Sequence, residues 1–107
     1  MSEPYTYFVT GTEFCGEAAQ KALKNPISFE IAHDPQNEHD ANALAVFVWH
    51  KGFFSKKRTR IGYIRKSANA GLLQAMKNNE MEIVGAEPFR GQNNLVNVML
   101  HIEFAYT

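Results

Sequence analysis

The chain has 107 residues with eleven basic and eleven acidic side chains, so its formal net charge is zero. That length suits one domain, residues 1–107, and a content of 45% hydrophobic and 12% aromatic residues excludes a disordered chain. Neutrality excludes a wholly basic nucleic-acid coat but not a local patch, and the single Cys15 excludes an internal disulfide and every multi-cysteine zinc site.

One cysteine fits a reducing compartment, so a cytoplasmic location is expected. The opening MSEPYTYF has no basic region followed by an apolar run, so no signal peptide is expected. No apolar stretch approaches the roughly 20 residues that span a bilayer, so no membrane partner is expected.

Along the chain the apolar period is mostly two. Tyr5–Thr10 is β-branched and aromatic and predicts a first strand ending near Gly11. Glu17–Leu23 reads either as a short helix or as a loop. Pro26–Ala32 alternates, which predicts a strand with Ile27, Phe29 and Ile31 inward. Leu44–Trp49 is a third strand, Gly52–Thr59 a basic hairpin loop, and Arg60–Ile64 a short fourth strand. The period then changes. Ser67 reads as an N-cap, and Ala68–Asn78 carries Leu72, Leu73 and Met76 at helical spacing. Met81–Ala86 is a fifth strand, Gly91–Asn94 a turn, and Leu95–Ala105 a long last strand. The expected fold is mainly β: a small barrel of about six strands with one helix between strands 4 and 5. OB-like and SH3-like barrels both fit this count, and doubly wound α/β folds do not.

Two stretches carry candidate chemistry. Lys51, Lys56, Lys57, Arg58, Arg60, Arg65 and Lys66 fall within sixteen residues that contain no acid, interleaved with Trp49, Phe53, Phe54 and Tyr63. Cations for phosphates and flat rings for bases are what single-stranded nucleic acid needs. The plainer reading is a solvated hairpin tip. The second stretch is the loop His33–Asn42. His33, His39 and Asp40, with Cys15 or Asp34, match no metal spacing, and no cofactor is implied. Asp40 and Asn42 suit a turn, because both side chains can bond nearby backbone. A loop carboxylate can also accept a hydrogen bond from a ligand hydroxyl, a strong and directional contact.

Read together, several stretches resemble one family. They are the run Asp34-Pro35-Gln36-Asn37 through Asp40-Ala41-Asn42-Ala43-Leu44-Ala45-Val46, Ile61-Gly62-Tyr63-Ile64-Arg65-Lys66, and the helix Ala68–Leu73. Pro88-Phe89, Gly91, Asn93-Asn94 and Leu100–Phe104 complete the order. This set resembles the HIRAN domain, found in SWI/SNF-type fork-remodelling ATPases, as a free-standing protein, and beside bacterial nuclease and helicase domains. The resemblance implies a modified OB-like barrel that binds the free 3′ end of single-stranded DNA. It implies no catalysis, and a helicase or nuclease as partner protein. By the same resemblance Asp40 receives the terminal hydroxyl and Lys66 the phosphate, with Asn37 and Tyr63 beside them. Phe14 and His39 sandwich the last base, and Phe89 stacks on the next. Lys51, Lys56, Lys57, Arg58, Arg60 and Arg65 would steer the strand. One departure is plain: the family's usual Asn-Pro-Tyr-Asp reads Asn37-Glu38-His39-Asp40 here. Imidazole stacks over less area than a phenol ring, and Glu38 adds negative charge. A protein–protein adaptor, with Phe53 and Phe54 as a sticky tip, is the alternative from another class. An accessory domain of a hydrolase system is a third.

Overall fold

The β-branched and aromatic runs become strands wherever a partner strand can accept their alternation. Residues 4–105 are described by the computed structural model, with position 92 described by its backbone alone. In chain order the elements are β1 (Tyr5–Thr10), a 3-10 turn (Thr12–Phe14), α1 (Gly16–Ala22), β2 (Pro26–His33) and β3 (Leu44–Lys51). They continue with β4 (Lys56–Ile64), α2 (Lys66–Lys77), β5 (Met81–Arg90), a second 3-10 turn (Gln92–Asn94) and β6 (Val96–Phe104).

All strand pairings are antiparallel, in the order β2-β3-β4-β1-β6-β5. The edge strands β2 and β5 come into contact without joining the ladder, so the sheet curls into a nearly closed, OB-like barrel. Strand β1 is the seam. Its Tyr5–Phe8 half pairs with β6, and only Val9 and Thr10 pair with β4, opposite Ile64 and Tyr63. Pro88 is tolerated within β5 because an edge strand needs no N–H on its open side.

Alternation fills the interior with Val9, Leu44, Val46, Val48, Ile61, Val98, Leu100 and Ile102, all essentially without exposure. Helix α2 lays Leu72 and Leu73 on this cluster, and burying a leucine contributes about 2 kcal/mol. The helix ends at Asn78 and then Asn79, whose φ of 54° suits a residue that tolerates the left-handed region.

Four expectations change at the level of elements. Glu17–Leu23, which the sequence leaves open between helix and loop, is a helix displaced by one residue to Gly16–Ala22, because Ala19 and Ala22 find the core. Ile27 is half exposed rather than inward, because the β2–β3 register shifts between Pro26 and Ser28 and the alternation restarts after it. The hairpin loop is only Gly52–Ser55, closed by Gly52 N–H donating to Ser55 O at 2.7 Å. Lys56–Thr59 therefore belong to β4, recruited by pairing with Val48–Lys51 despite their charge. Ser67 is not the N-cap of α2. Arg65 holds that position, with no side-chain cap.

Candidate nucleic-acid interface

Loop 34–43 connects β2 to β3 and has no regular ladder, so its backbone groups need side-chain partners. Asn37 and Asp40 supply them. Asn37 Oδ1 accepts the N–H of His39 at 2.9 Å and of Asp40 at 3.1 Å. Asp40 Oδ1 accepts the N–H of Asn42 at 2.9 Å, and Asp40 O accepts that of Ala43 at 3.0 Å. His33 Nε2 donates to Ala41 O at 2.8 Å and ties the loop to the end of β2.

The second oxygen of Asp40 faces the helix. Asn69 Nδ2 donates to Asp40 Oδ2 at 2.6 Å, across 29 residues of chain. Asn69 is only 4% exposed, and its Oδ1 is buried without a hydrogen-bond partner among the described residues. Backbone N–H of Asn42, the Asn69 amide, and the charges of Lys66 and His33 together hold the Asp40 carboxyl below its usual 3.8. The anion is thus fixed in place at neutral pH while its side chain stays partly exposed.

A second chain of bonds runs along the sheet. Arg60 Nη1 donates to the Tyr63 hydroxyl at 3.1 Å, and that hydroxyl donates to Asp34 Oδ2 at 3.3 Å. Asn37 Nδ2 reaches the same Asp34 oxygen at a long 3.5 Å. Asn37, Asp40, Tyr63 and Lys66 are therefore gathered in one neighbourhood, and His39 stands exposed in the same loop.

Phe14 and Phe89 are positioned by other elements. Phe14 is 86% exposed at the end of the 3-10 turn after β1. That turn is anchored by buried Thr12, whose hydroxyl donates to Asn97 Oδ1 at 2.9 Å, while Asn97 Nδ2 donates to Val9 O at 2.9 Å. Phe89 packs edge-on to Phe8, with ring centroids 5.7 Å apart, and shares a cavity of about 530 Å³ with Thr12 and Glu13. No hydrogen bond or ring contact among the described residues joins Phe14 or Phe89 to the Asp40 loop. The bond from Thr10 Oγ1 to Tyr63 O at 3.0 Å ties the strand leading into that turn to the Tyr63 end of β4.

The basic run divides in two. Lys51, Lys56 and Lys57 are exposed on the β3–β4 hairpin, with Lys51 directly opposite Lys56, where like charges repel. Its tip carries Phe53 and Phe54, packed on each other at 4.6 Å and open to solvent. Arg58 is already engaged: Nη2 and Nε donate to the two Glu30 oxygens at 2.9 and 3.2 Å, and its guanidinium lies 3.5 Å above the Phe47 ring. Glu30 also accepts the Trp49 indole N–H at 2.8 Å, and Arg58 first and Trp49 second lower its pKa. Arg65 and Lys66 begin α2. Cations there oppose the helix dipole, and an anion bound at that end would offset the cost.

Asn69 is the residue that reading the loop alone overlooks, yet it carries a signal. It occupies the stripe of Leu72, Leu73 and Met76 at i, i+3, i+4 and i+7, where an amide needs a polar partner. The pairing of Glu30 with Arg58 and Trp49 has no such signal, because it depends on strand register.

Among the described residues no group of three or more His, Cys, Asp or Glu side chains is arranged to hold a metal ion, and no helix is long and apolar enough to cross a membrane. No curated protein and no solved structure matches the chain significantly. The family model of the HIRAN domain matches residues 4–106, nearly the whole chain, and on that match and the barrel it folds into, the chain belongs to the HIRAN domain family.

Proposed function

We propose that this domain binds single-stranded DNA at a free 3′ end, with Asp40 accepting the terminal hydroxyl and Lys66 the adjoining phosphate. Family membership supports a nucleic-acid-binding module in general. The observation that carries the finer reading is the Asp40 carboxylate, held anionic and oriented by Asn42 and Asn69 beside the cationic start of α2. A fixed anion selects a hydroxyl donor and repels a phosphate, while Lys66 beside it supplies the opposite preference one atom group away. Phe14, His39 and Phe89 are the rings proposed to stack on the last two bases, and Asn37 holds the loop in shape. Lys51, Lys56, Lys57, Arg60 and Arg65 draw in the rest of the strand. Arg58 contributes little net charge, since Glu30 neutralises it. The domain has no chemistry of its own in this reading, and a helicase or nuclease partner would act on the end it holds.

Fluorescence anisotropy at low salt compares one short strand ending in a 3′-hydroxyl with the same strand ending in a 3′-phosphate. About tenfold tighter binding of the hydroxyl end is expected, since hydrogen bonds to charged groups are the strong ones. Equal binding of the two ends sinks the reading.

Lys66→Ala is expected to weaken every single strand alike and to flatten the dependence of log K on log salt by about 0.7, one phosphate's share for a single strand. An unchanged slope removes Lys66 from the contact.

A further inference from the structure

The outer face of β2, β3 and β4 carries a feature that the end pocket does not use. On β3, Leu44, Val46 and Val48 point into the core, which leaves Ala45, Phe47 and Trp49 on the opposite face, with Ala45 itself only 4% exposed. Ala45 pairs with Ala32 of β2 on one side and with Tyr63 of β4 on the other. Two small side chains thus sit side by side among the larger Glu30, Phe47, Trp49, Arg58 and Arg60. The result is a cleft of about 270 Å³ lined by Ala32, His33, Asp34, Ala45, Phe47, Arg58 and Arg60. That is smaller than the roughly 300 Å³ at which sites for whole small molecules begin. Its size suits one flat group.

Both arginines are held in place before any ligand arrives. Arg58 is clamped by the two Glu30 oxygens against the Phe47 ring, and Arg60 is tied to the Tyr63 hydroxyl, its guanidinium 5.4 Å from that ring's centroid. A guanidinium backed by a ring on one side is a fixed plate whose other side can take a base, and the ordering cost of a long side chain is already met. Glu30 cancels the charge of Arg58, which makes it a stacking plate. Arg60, held by a neutral phenol, keeps its charge for a phosphate. The cleft also adjoins the Asp40 loop: Asp34 borders it, accepts from Tyr63, and is reached by Asn37.

We infer that this cleft is a further nucleobase subsite, which takes a base upstream of the last two at the 3′ end of the same single strand, by stacking on the guanidinium of Arg58 while Arg60 meets the phosphate. The inference rests on the end-binding reading for the direction of the strand, but not for the existence of the cleft. An adaptor face for an acidic peptide would use the cations and leave the flat cleft without purpose.

The test compares a dinucleotide with a hexanucleotide, both ending in a 3′-hydroxyl, and with the same hexanucleotide made abasic at its four upstream positions. The intact hexanucleotide is expected to bind about tenfold tighter than the abasic one, the scale of one stacked base. Ala32→Leu, which fills the cleft, removes that gain and leaves dinucleotide binding and its hydroxyl-to-phosphate ratio as in the unmodified protein. Arg58→Gln, at an exposed position, is the second variant and lowers the gain without filling anything, because it removes the plate on which the base stacks. Equal binding of intact and abasic strands overturns the subsite, and so does a gain that survives Ala32→Leu. Loss of the hydroxyl preference in the unmodified protein would end the end-binding reading alone, because the base-dependent gain and its removal by Ala32→Leu would still decide the cleft.

Discussion

Asp40→Asn is expected to abolish the preference for a 3′-hydroxyl over a 3′-phosphate while leaving the fold intact. The side chain has two duties that must be separated. Its Oδ1 holds the Asn42 N–H, and the new amide keeps an oxygen for that bond. Its Oδ2 accepts from Asn69, and there the amide presents N–H instead. Asn69 can turn its own amide over and offer Oδ1, the buried oxygen that has no hydrogen-bond partner among the described residues. The loop therefore keeps its bonds and loses only the charge. Asp40→Ala loses the preference too, but frees Asn42 and Asn69 and loosens the loop with it. Anisotropy with the two end chemistries reads the preference, and a thermal melt reads the loop. An asparagine variant that still prefers the hydroxyl end by the full factor would reduce Asp40 to a turn residue.

The same carboxylate fixes a pH dependence. Its folded-state pKa is depressed, by the Asn42 N–H first, so its charge-dependent contribution is fully present above the unfolded value near 3.8. That contribution is lost only as pH falls through the lower, folded value. From neutral pH down to about pH 5 the affinity for the hydroxyl end is expected to stay level so far as Asp40 sets it, whereas the phosphate end itself takes up a proton near pH 6. A hydroxyl-end affinity that faded within that range would point to another titrating group.

Gly62→Ala is expected to lower the melting temperature by more than about 10 °C, on a cost of roughly 3 kcal/mol from overpacking and backbone strain in a domain of this size. Gly62 lies at φ 155° where β4 passes beneath β1. A Cβ there would overlap the carbonyl oxygen of Thr10 and stand 2.6 Å from Val9 Cγ1. The first of these is backbone in a paired strand and cannot swing aside. A shift of under about 3 °C would mean that β1 gives way at Val9–Thr10 at little cost.

The barrel was legible because its strands alternate. Val96, Val98, Leu100 and Ile102 declare their face whatever they pair with, and α2 declares itself through Leu72, Leu73 and Met76. Where a neighbour decides, local pattern fails. Ile27 alternates with Phe29 and Ile31 on paper, but a slip in pairing turns it to solvent. Lys56–Thr59 look like a solvated tip until the facing strand captures them. The candidate site divides the same way. Asn37 and Asp40 announce a structured loop by composition alone, whereas Tyr63 and Lys66 join them only through the resemblance. That Arg58 is occupied by Glu30 and Phe47 follows from cross-strand register, which no spacing in the sequence reveals.

The seam at β1 gives the barrel an uneven grip. Four residue pairs fasten this strand to β6 and two fasten it to β4. The molecule is thus two leaves sharing one spine, with the looser stitching at Val9–Thr10. The leaf of β2–β4 bears the Asp40 loop, and the leaf of β5–β6 bears Phe89. Local opening concentrates where the fewest ladder bonds must break. On the proposed reading, a strand of DNA that touches both leaves would span the line with the fewest ladder bonds and act as a staple across it.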